Sequence, residues 1–190
     1  MHQWSLEERF LSITTNWVEL VGERYTDHNG QKLEYYRVER SDSVIVLPVH
    51  GDYLLTAPPT FRPGIGESSL DFPGGRIGQS SVEEAARGVL LRELNLPAEM
   101  LQGLEPMNRR GWPVDSSFSS QRLFGVVARL SSDLLPAEST AERFPLTPEG
   151  KRDLLDRIDC AQCRLVLLHY LLGSRDEQQG SLKPGSSQDT

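Results

Sequence analysis

Residues 71–96 read "DFPGGRIGQSSVEEAARGVLLRELNL". Pro73-Gly74-Gly75 punctuates the chain as a tight loop. Ser81 and Glu84 then form a Ser-x-x-Glu capping box: the serine oxygen accepts a backbone N–H that the first helical turn cannot pair, and the glutamate reaches back to the cap. The spacing predicts a helix from Val82 to about Leu94, ending near Asn95 and Pro97. Ala85, Ala86, Val89, Leu90 and Glu93 recur at intervals of three and four and share a broad face. A glycine loop leading into a capped helix has the outline of a phosphate-handling motif. A site that holds pyrophosphate through magnesium also needs clustered carboxylates, and this helix offers few.

Upstream, Ser5, Glu7 and Glu8 predict a short helix over residues 5–12, part of an N-terminal helical cap at 1–16. From Trp17 the pattern turns to β. "WVELVGERYT" and "KLEYYRVER" flank Asn29-Gly30, the strongest hairpin signal in the chain. "SVIVLPV" is a nearly continuous β-branched run of the kind buried on both faces, and "HGD" turns it back into "YLLTAP". A Pro- and Gly-rich loop, "PPTFRPGIGESS", leads to a short strand at "LDF". Downstream of the capped helix, "MNRRGWPVDSSFSS" is an aperiodic loop and "QRLFGVVARL" a buried strand. Thr147-Pro148-Glu149 starts a helix, with threonine as cap and proline in the first turn, and apolar spacing predicts one continuous helix over 147–173. The polar residues 174–190 predict a disordered tail.

The totals narrow the function. A length of 190 residues fits one domain, here bounded at 17–173. Net charge is −7, which disfavours a broad grip on nucleic acid or anionic lipid, so an anionic ligand requires a locally basic pocket. No segment approaches the ~18 apolar residues of a membrane span and the start lacks a signal-peptide pattern, so the chain reads as cytoplasmic. Cys160 and Cys163 form a Cys-x-x-Cys. Redox or metal chemistry is one reading of that pair; two buried thiols inside an apolar helix is the blander one, and the one preferred. No Ser-His-Asp or Cys-His arrangement involves His28, His50 or His169.

Four segments in order, "VERSDSVIVLPV", "TFRPGIGESSLDFPGGRI", "EEAARGVLLRELNL" and "SSQRLFGVVARL", together resemble the Nudix hydrolases, and within them the branch that cleaves ADP-ribose and related nucleoside diphosphate sugars. The resemblance spans about Trp17 to Leu172. It implies an α/β fold with a mixed central sheet sandwiched between helices, an N-terminal antiparallel strand pair at 17–40, a loop-helix-loop at 71–96 and a homodimer built partly from the N-terminal strands. It also implies a nucleoside diphosphate-type ligand and, in an active enzyme, Mg2+.

The family's signature is a glycine, five residues, a glutamate, seven residues, Arg-Glu, an aliphatic residue, any residue, Glu-Glu, any residue, glycine and an aliphatic residue. In the register set by "AARGVLLRELNL", Gly88 stands for the arginine, Val89 for the following glutamate, Arg92 and Glu93 for the glutamate pair, and Asn95 for the glycine. The earlier glutamate falls on Ser80 or Ser81. Relatives often place a catalytic or metal-binding glutamate where this chain has Gln121, an amide that supplies neither base nor charge. Glu93 is therefore the surviving candidate for catalysis or metal binding, with Asp71, Glu67, Asp115, Glu83 and Glu84 as possible helpers in a rebuilt site. Arg62, Arg87, Arg92, Gly74, Gly75 and Gln121 are the candidate substrate-binding residues.

Each has a plainer reading: Arg62 and Arg87 as surface ion pairs, Arg92 as a solvated helix charge, the glycines as turn formers, and Trp112 and Phe118 as loop packing rather than a stacking platform. The leading expectation is a nucleotide-binding or regulatory protein whose hydrolase site is weakened or lost. The alternatives are an active Mg-dependent hydrolase with a rebuilt site and a protein-interaction module without a small ligand.

Overall fold

The computed structural model describes residues 4–131 and 135–179, with the backbone alone at 174–179. The chain opens with a three-stranded antiparallel sheet in the order β1-β2-β3, formed by β1 (Ser5–Thr14), β2 (Glu19–Thr26) and β3 (Lys32–Glu39). The β2–β3 hairpin turns where expected: Gly30 has φ 79°, and the Asp27 carboxylate accepts the N–H groups of Asn29 and Gln31.

Strand β1 corrects the expected N-terminal helix. Residues 5–14 pair along β2 from Ser5 opposite Thr26 to Thr14 opposite Glu19, with two register shifts. The helical reading rested on one cap and two first-turn acids, a local preference too small to outweigh a ladder of backbone hydrogen bonds with a neighbouring strand. Pairing in this register also brings Arg9 over the buried Glu23.

Glu23 is wholly buried on β2. It accepts from Arg37 Nε at 2.8 Å, Arg37 Nη2 at 3.0 Å, Arg9 Nε at 3.2 Å and the Tyr25 hydroxyl at 2.7 Å, while Glu39 bridges the two arginines. The hydrogen bonds from Arg37 are the largest influence holding its pKa down, from an ordinary 4.5 to about 2, against the opposing effect of burial.

The central sheet follows, in the order β10-β11-β4-β5-β12. Its axis is β4 (Ser43–His50), joined to β5 (Tyr53–Thr56) by the predicted "HGD" turn. The segment expected as loop before "LDF" instead forms a small hairpin, β6 (Thr60–Arg62) with β7 (Glu67–Ser69), turned at Gly66, φ 74°. Leu70, Asp71 and Phe72 are buried but not in a strand, which corrects the expected strand there. Strand β8 (Gly74–Arg76) then pairs beside the first half of β4.

Helix α1 (Val82–Leu94) follows with its capping box complete, and Asn95 ends it in the left-handed region at φ 53°. Asparagine tolerates that conformation better than other residues with a side chain, so it can replace a glycine there. Strands β9 (Leu101–Pro106), β10 (Trp112–Pro113) and β11 (Arg122–Leu130) come next, with β11 parallel to β4 and antiparallel to β9 and β10. Strand β12 (Glu142–Pro145) pairs with β5.

Two helices close the described chain, α2 (Pro148–Arg157) and α3 (Ala161–Gln179). One continuous helix was expected. Ile158, fully buried with extended backbone angles, breaks it, and Arg164 Nη1 donates to the carbonyls of Leu155 and Ile158 left open by the break. Apolar spacing survives across the corner, so periodicity could not reveal it. The backbone of α3 runs helical through 174–179, where a disordered tail was expected; the rest of that expectation lies outside the described residues.

Alternate residues of β4 divide the core. Val44 and Val46 pack with Ala86, Val89, Leu90 and Leu94 of α1, whereas Ile45, Leu47 and Val49 pack with Leu154, Ile158, Val166 and Leu167 from the α2–α3 side. The mixed sheet is therefore sandwiched between helices. No helix among the described residues is long and apolar enough to cross a membrane.

Two stability effects follow. Glu23→Gln removes one side of a buried ion network and costs about 3 kcal/mol in urea unfolding at neutral pH. Because the folded pKa lies below the unfolded one, that stabilisation is complete above the ordinary carboxylate value, and the gap between parent and variant closes as pH falls from about 4.5 towards about 2. Ser81→Ala, which unmakes the capping box, costs about 1 kcal/mol in the same measurement.

Candidate functional site

One cavity of about 750 Å³ opens where β4, β8 and the end of α1 meet the start of α3. Pairing of β8 with β4 sets its floor, placing Gly74 opposite Ile45 and Gly75 opposite Val44. The approach is close at both glycines: a Cβ on Gly75 would lie 3.0 Å from the Arg92 guanidinium and 3.2 Å from Val89, and one on Gly74 would lie 3.1 Å from the Val44 carbonyl oxygen.

Helix α1 presents Arg92 and Glu93 to this cavity. Glu93 Oε2 accepts the Gly74 N–H at 3.1 Å, and its Oε1 accepts from Arg92 Nη2 at 2.7 Å. The same Arg92 nitrogen donates to the Gly74 carbonyl at 3.2 Å. Arg92 thus reaches across the loop while its side chain stays 59% exposed, so it is solvated as well as paired. Val89, in the position where the resemblance puts a glutamate, is 2% exposed and belongs to the core beneath α1.

On the opposite wall, Arg62 grips Asp71: Nη2 lies 2.6 Å and Nε 2.8 Å from Asp71 Oδ2. The other oxygen, Oδ1, accepts from the Ser69 hydroxyl at 2.9 Å and from the Cys163 thiol at 3.9 Å. Gln121 lines the cavity at 5% exposure, and its Oε1 has no hydrogen-bond partner. The Ser43 hydroxyl, also on the wall, has none either. Unpaired buried polar atoms on a cavity wall are costly unless something entering the cavity pairs with them.

The remaining candidates lie elsewhere. Arg87 pairs with Glu83 at 2.8 Å on the exposed face of α1, outside the cavity lining. Glu84 is held by the Ser81 cap, Asp115 by the hydroxyl and N–H of Ser117, and Glu67 sits exposed on β7; none lines the cavity. Trp112 packs edge-on against His169 of α3 at 5.1 Å between ring centroids and is not among the residues lining the cavity. Phe118 is exposed and its carbonyl accepts from Val38 N–H, again away from the cavity lining.

Sequence reasoning missed several residues. Arg40 and Arg76 also line the cavity, bringing its charged lining to four arginines against the two carboxylates Asp71 and Glu93. In a chain of net charge −7 this is a local cationic exception. The arginines come from four separate segments, so no window of sequence contains them together.

Cys160 was also missed as a cavity residue. It is half-buried and stands immediately before α3, with its carbonyl accepting the Arg164 N–H at 2.9 Å. Hydrogen bonding from the Cys163 thiol is the largest influence lowering its pKa, joined by the backbone N–H groups of Cys163 and Gln162, and the result is about 6. Cys163, buried, is shifted upward by that same contact and by burial. Among the described residues, Asp71, Cys160 and Cys163 form a close group with polar atoms all within 4.8 Å of one another.

No protein-family profile matches the chain, and no curated protein matches it by sequence. Solved structures do match: the crystal structure of an ADP compounds hydrolase superposes with a TM-score of 0.71 at 19% identity, covering 95% of this chain and 97% of that one. The chain therefore shares the fold of that hydrolase, here a mixed sheet between helices preceded by antiparallel N-terminal strands.

Proposed function

We propose that the protein binds a nucleoside diphosphate-type small molecule in the β4–β8–α1–α3 cavity and that its hydrolase activity is weakened or lost. The observation carrying this reading is the charge balance of the wall: four arginines line it against two carboxylates, each carboxylate is ion-paired to one of those arginines, and the remaining two are Arg40 and Arg76, the latter with its guanidinium stacked on Trp17 and donating to the Asn16 carbonyl. A pyrophosphate supplies what is missing, since guanidinium groups bind phosphate oxygens through paired N–H donors. The unpartnered Ser43 hydroxyl and Gln121 amide oxygen add donor and acceptor sites for a sugar or base.

The same walls suit magnesium poorly. Mg2+ takes hard oxygen ligands in near-octahedral geometry. Glu93 is committed to Arg92 and Gly74, Asp71 to Arg62 and Ser69, and Val89 is an apolar core residue. At an effective dielectric near 20 a cation ~4 Å from a guanidinium is repelled by roughly 4 kcal/mol per unit charge, so Arg92 opposes a divalent ion beside Glu93. In this reading the Nudix box is degenerate and Arg92 takes the part of a fixed cation that holds the phosphate.

Isothermal titration with ADP-ribose tests this directly. Binding is expected to be independent of magnesium and to weaken tenfold or more, roughly 1.4 kcal/mol, in Arg62→Ala or Arg92→Ala. No product should accumulate when ADP-ribose is incubated with magnesium or manganese. Because Asp71 and Glu93 line one cavity, a rebuilt metal site is the competing reading. Rapid metal-dependent turnover that disappears in Glu93→Gln would establish it in place of the first. Failure of any nucleoside diphosphate to raise the melting temperature would point to a protein-interaction module instead.

A cytoplasmic homodimer joined through the N-terminal sheet belongs to the same proposal. Leu6, Ile13, Trp17 and Tyr36 expose large apolar surface on or beside β1 and β3, and β1 is an open edge. Light scattering is expected to give twice the chain mass, falling to the single-chain value in Leu6→Glu/Ile13→Glu. A single-chain mass for the parent would remove the dimer from the reading.

A further inference from the structure

We propose that Cys160 and Cys163 form a redox-active dithiol on the cavity wall, with Cys160 as the attacking sulfur, Cys163 as the resolving one, and an anionic low-molecular-weight disulfide as its reaction partner. The inference is independent of which nucleotide, if any, the cavity binds.

Placement carries the argument. Cys160 stands immediately before the first turn of α3, whose leading N–H groups have no partner within the helix, and it opens onto the cavity. Cys163 lies three residues on, across the first helical turn, 2% exposed and covered from the solvent. The two sulfurs lie within 4.8 Å of one another, and because Cys160 stands outside α3, closing the remaining gap to a bond of about 2.05 Å falls to the residue before the helix rather than to the helix itself. Asp71 Oδ1 stands 3.9 Å from the Cys163 sulfur. One sulfur is therefore accessible, the other is shielded, and a carboxylate flanks the shielded one. The low pKa of Cys160 agrees with this division, since it leaves the outer sulfur largely as thiolate at neutral pH.

The step balances as follows. The Cys160 thiolate attacks one sulfur of the disulfide; that S–S bond breaks, and one half leaves as a thiolate that takes a proton from water. The Cys163 thiol passes its proton to the Asp71 carboxylate, which returns it to solvent, and attacks Cys160 in the mixed disulfide, expelling the second half. The protein dithiol loses two electrons and the small disulfide gains them as two thiols. Arg40, Arg62, Arg76 and Arg92 on the same walls favour an anionic partner over a cationic one.

The chain holds two cysteines, so the readout is unambiguous. Reduced protein is incubated with oxidised glutathione at neutral pH, quenched with iodoacetamide and weighed intact. The parent is expected to lose both alkylatable thiols and two hydrogens of mass; Cys163→Ser should hold one glutathione on Cys160, and Cys160→Ser should form neither product. At low ionic strength oxidised glutathione should react about tenfold or more faster than cationic cystamine. Two thiols still open to alkylation in the parent, or no adduct in a folded Cys163→Ser, would overturn the proposal. So would purified protein carrying one equivalent of zinc that shields both sulfurs until a chelator is added, because the trio with Asp71 would then be a metal centre. Equal rates with the two disulfides would overturn the assignment of an anionic partner.

Discussion

Burial of β4 on both faces is the constraint from which the site follows. Val44, Val46 and Leu47 are fully buried, and each such side chain contributes about 1.5–3 kcal/mol relative to exposure. A strand apolar on both sides demands cover on both sides, and α1 supplies one layer while α2 and α3 supply the other. Once the layers are fixed, the first half of β4 needs a partner for its free edge. The short strand β8 provides it, and in doing so lays Gly74 and Gly75 between the end of α1 and the start of α3.

Those two glycines couple fold to chemistry. Gly75 packs closely beneath Val89 and the Arg92 guanidinium, and Gly74 pairs through both its N–H and its carbonyl with Glu93 and Arg92. The helix and the loop are thereby pinned by the two residues best placed to meet a ligand. In the resting cavity the Arg92 guanidinium already pairs with the Glu93 carboxylate.

The N-terminal sheet is held by a different device. Its Glu23 is buried among Arg9, Arg37 and Tyr25, a charge network that is stabilising only while every member is present. The Val38 N–H donates to the Phe118 carbonyl and the Val38 carbonyl accepts from the Ser120 N–H, joining β3 to the loop before β11, and the Tyr35 hydroxyl donates to the Ser117 carbonyl. These contacts tie the N-terminal sheet to the loop that ends at Gln121 and so reach the cavity wall.

The local sequence determined what depends on neighbours along the chain. The hairpin at Asn29-Gly30, the doubly buried β4, the capped α1 and the Thr147 cap of α2 each carry their signal within a few residues, because turn chemistry, capping and side-chain period act at that range. Glu93, Gly74, Gly75, Arg62, Arg92 and Gln121 were legible as cavity residues through an ordered set of segments. Tertiary structure alone decided the rest. It drew residues 5–14 into a strand by offering a pairing partner, and it broke the last helix at Ile158 because Arg164 could satisfy the freed carbonyls. It gathered Arg40, Arg76 and Cys160 from distant segments into one cavity. Charge balance and thiol reactivity are properties of what stands within a few ångströms in space, and sequence order does not encode that distance.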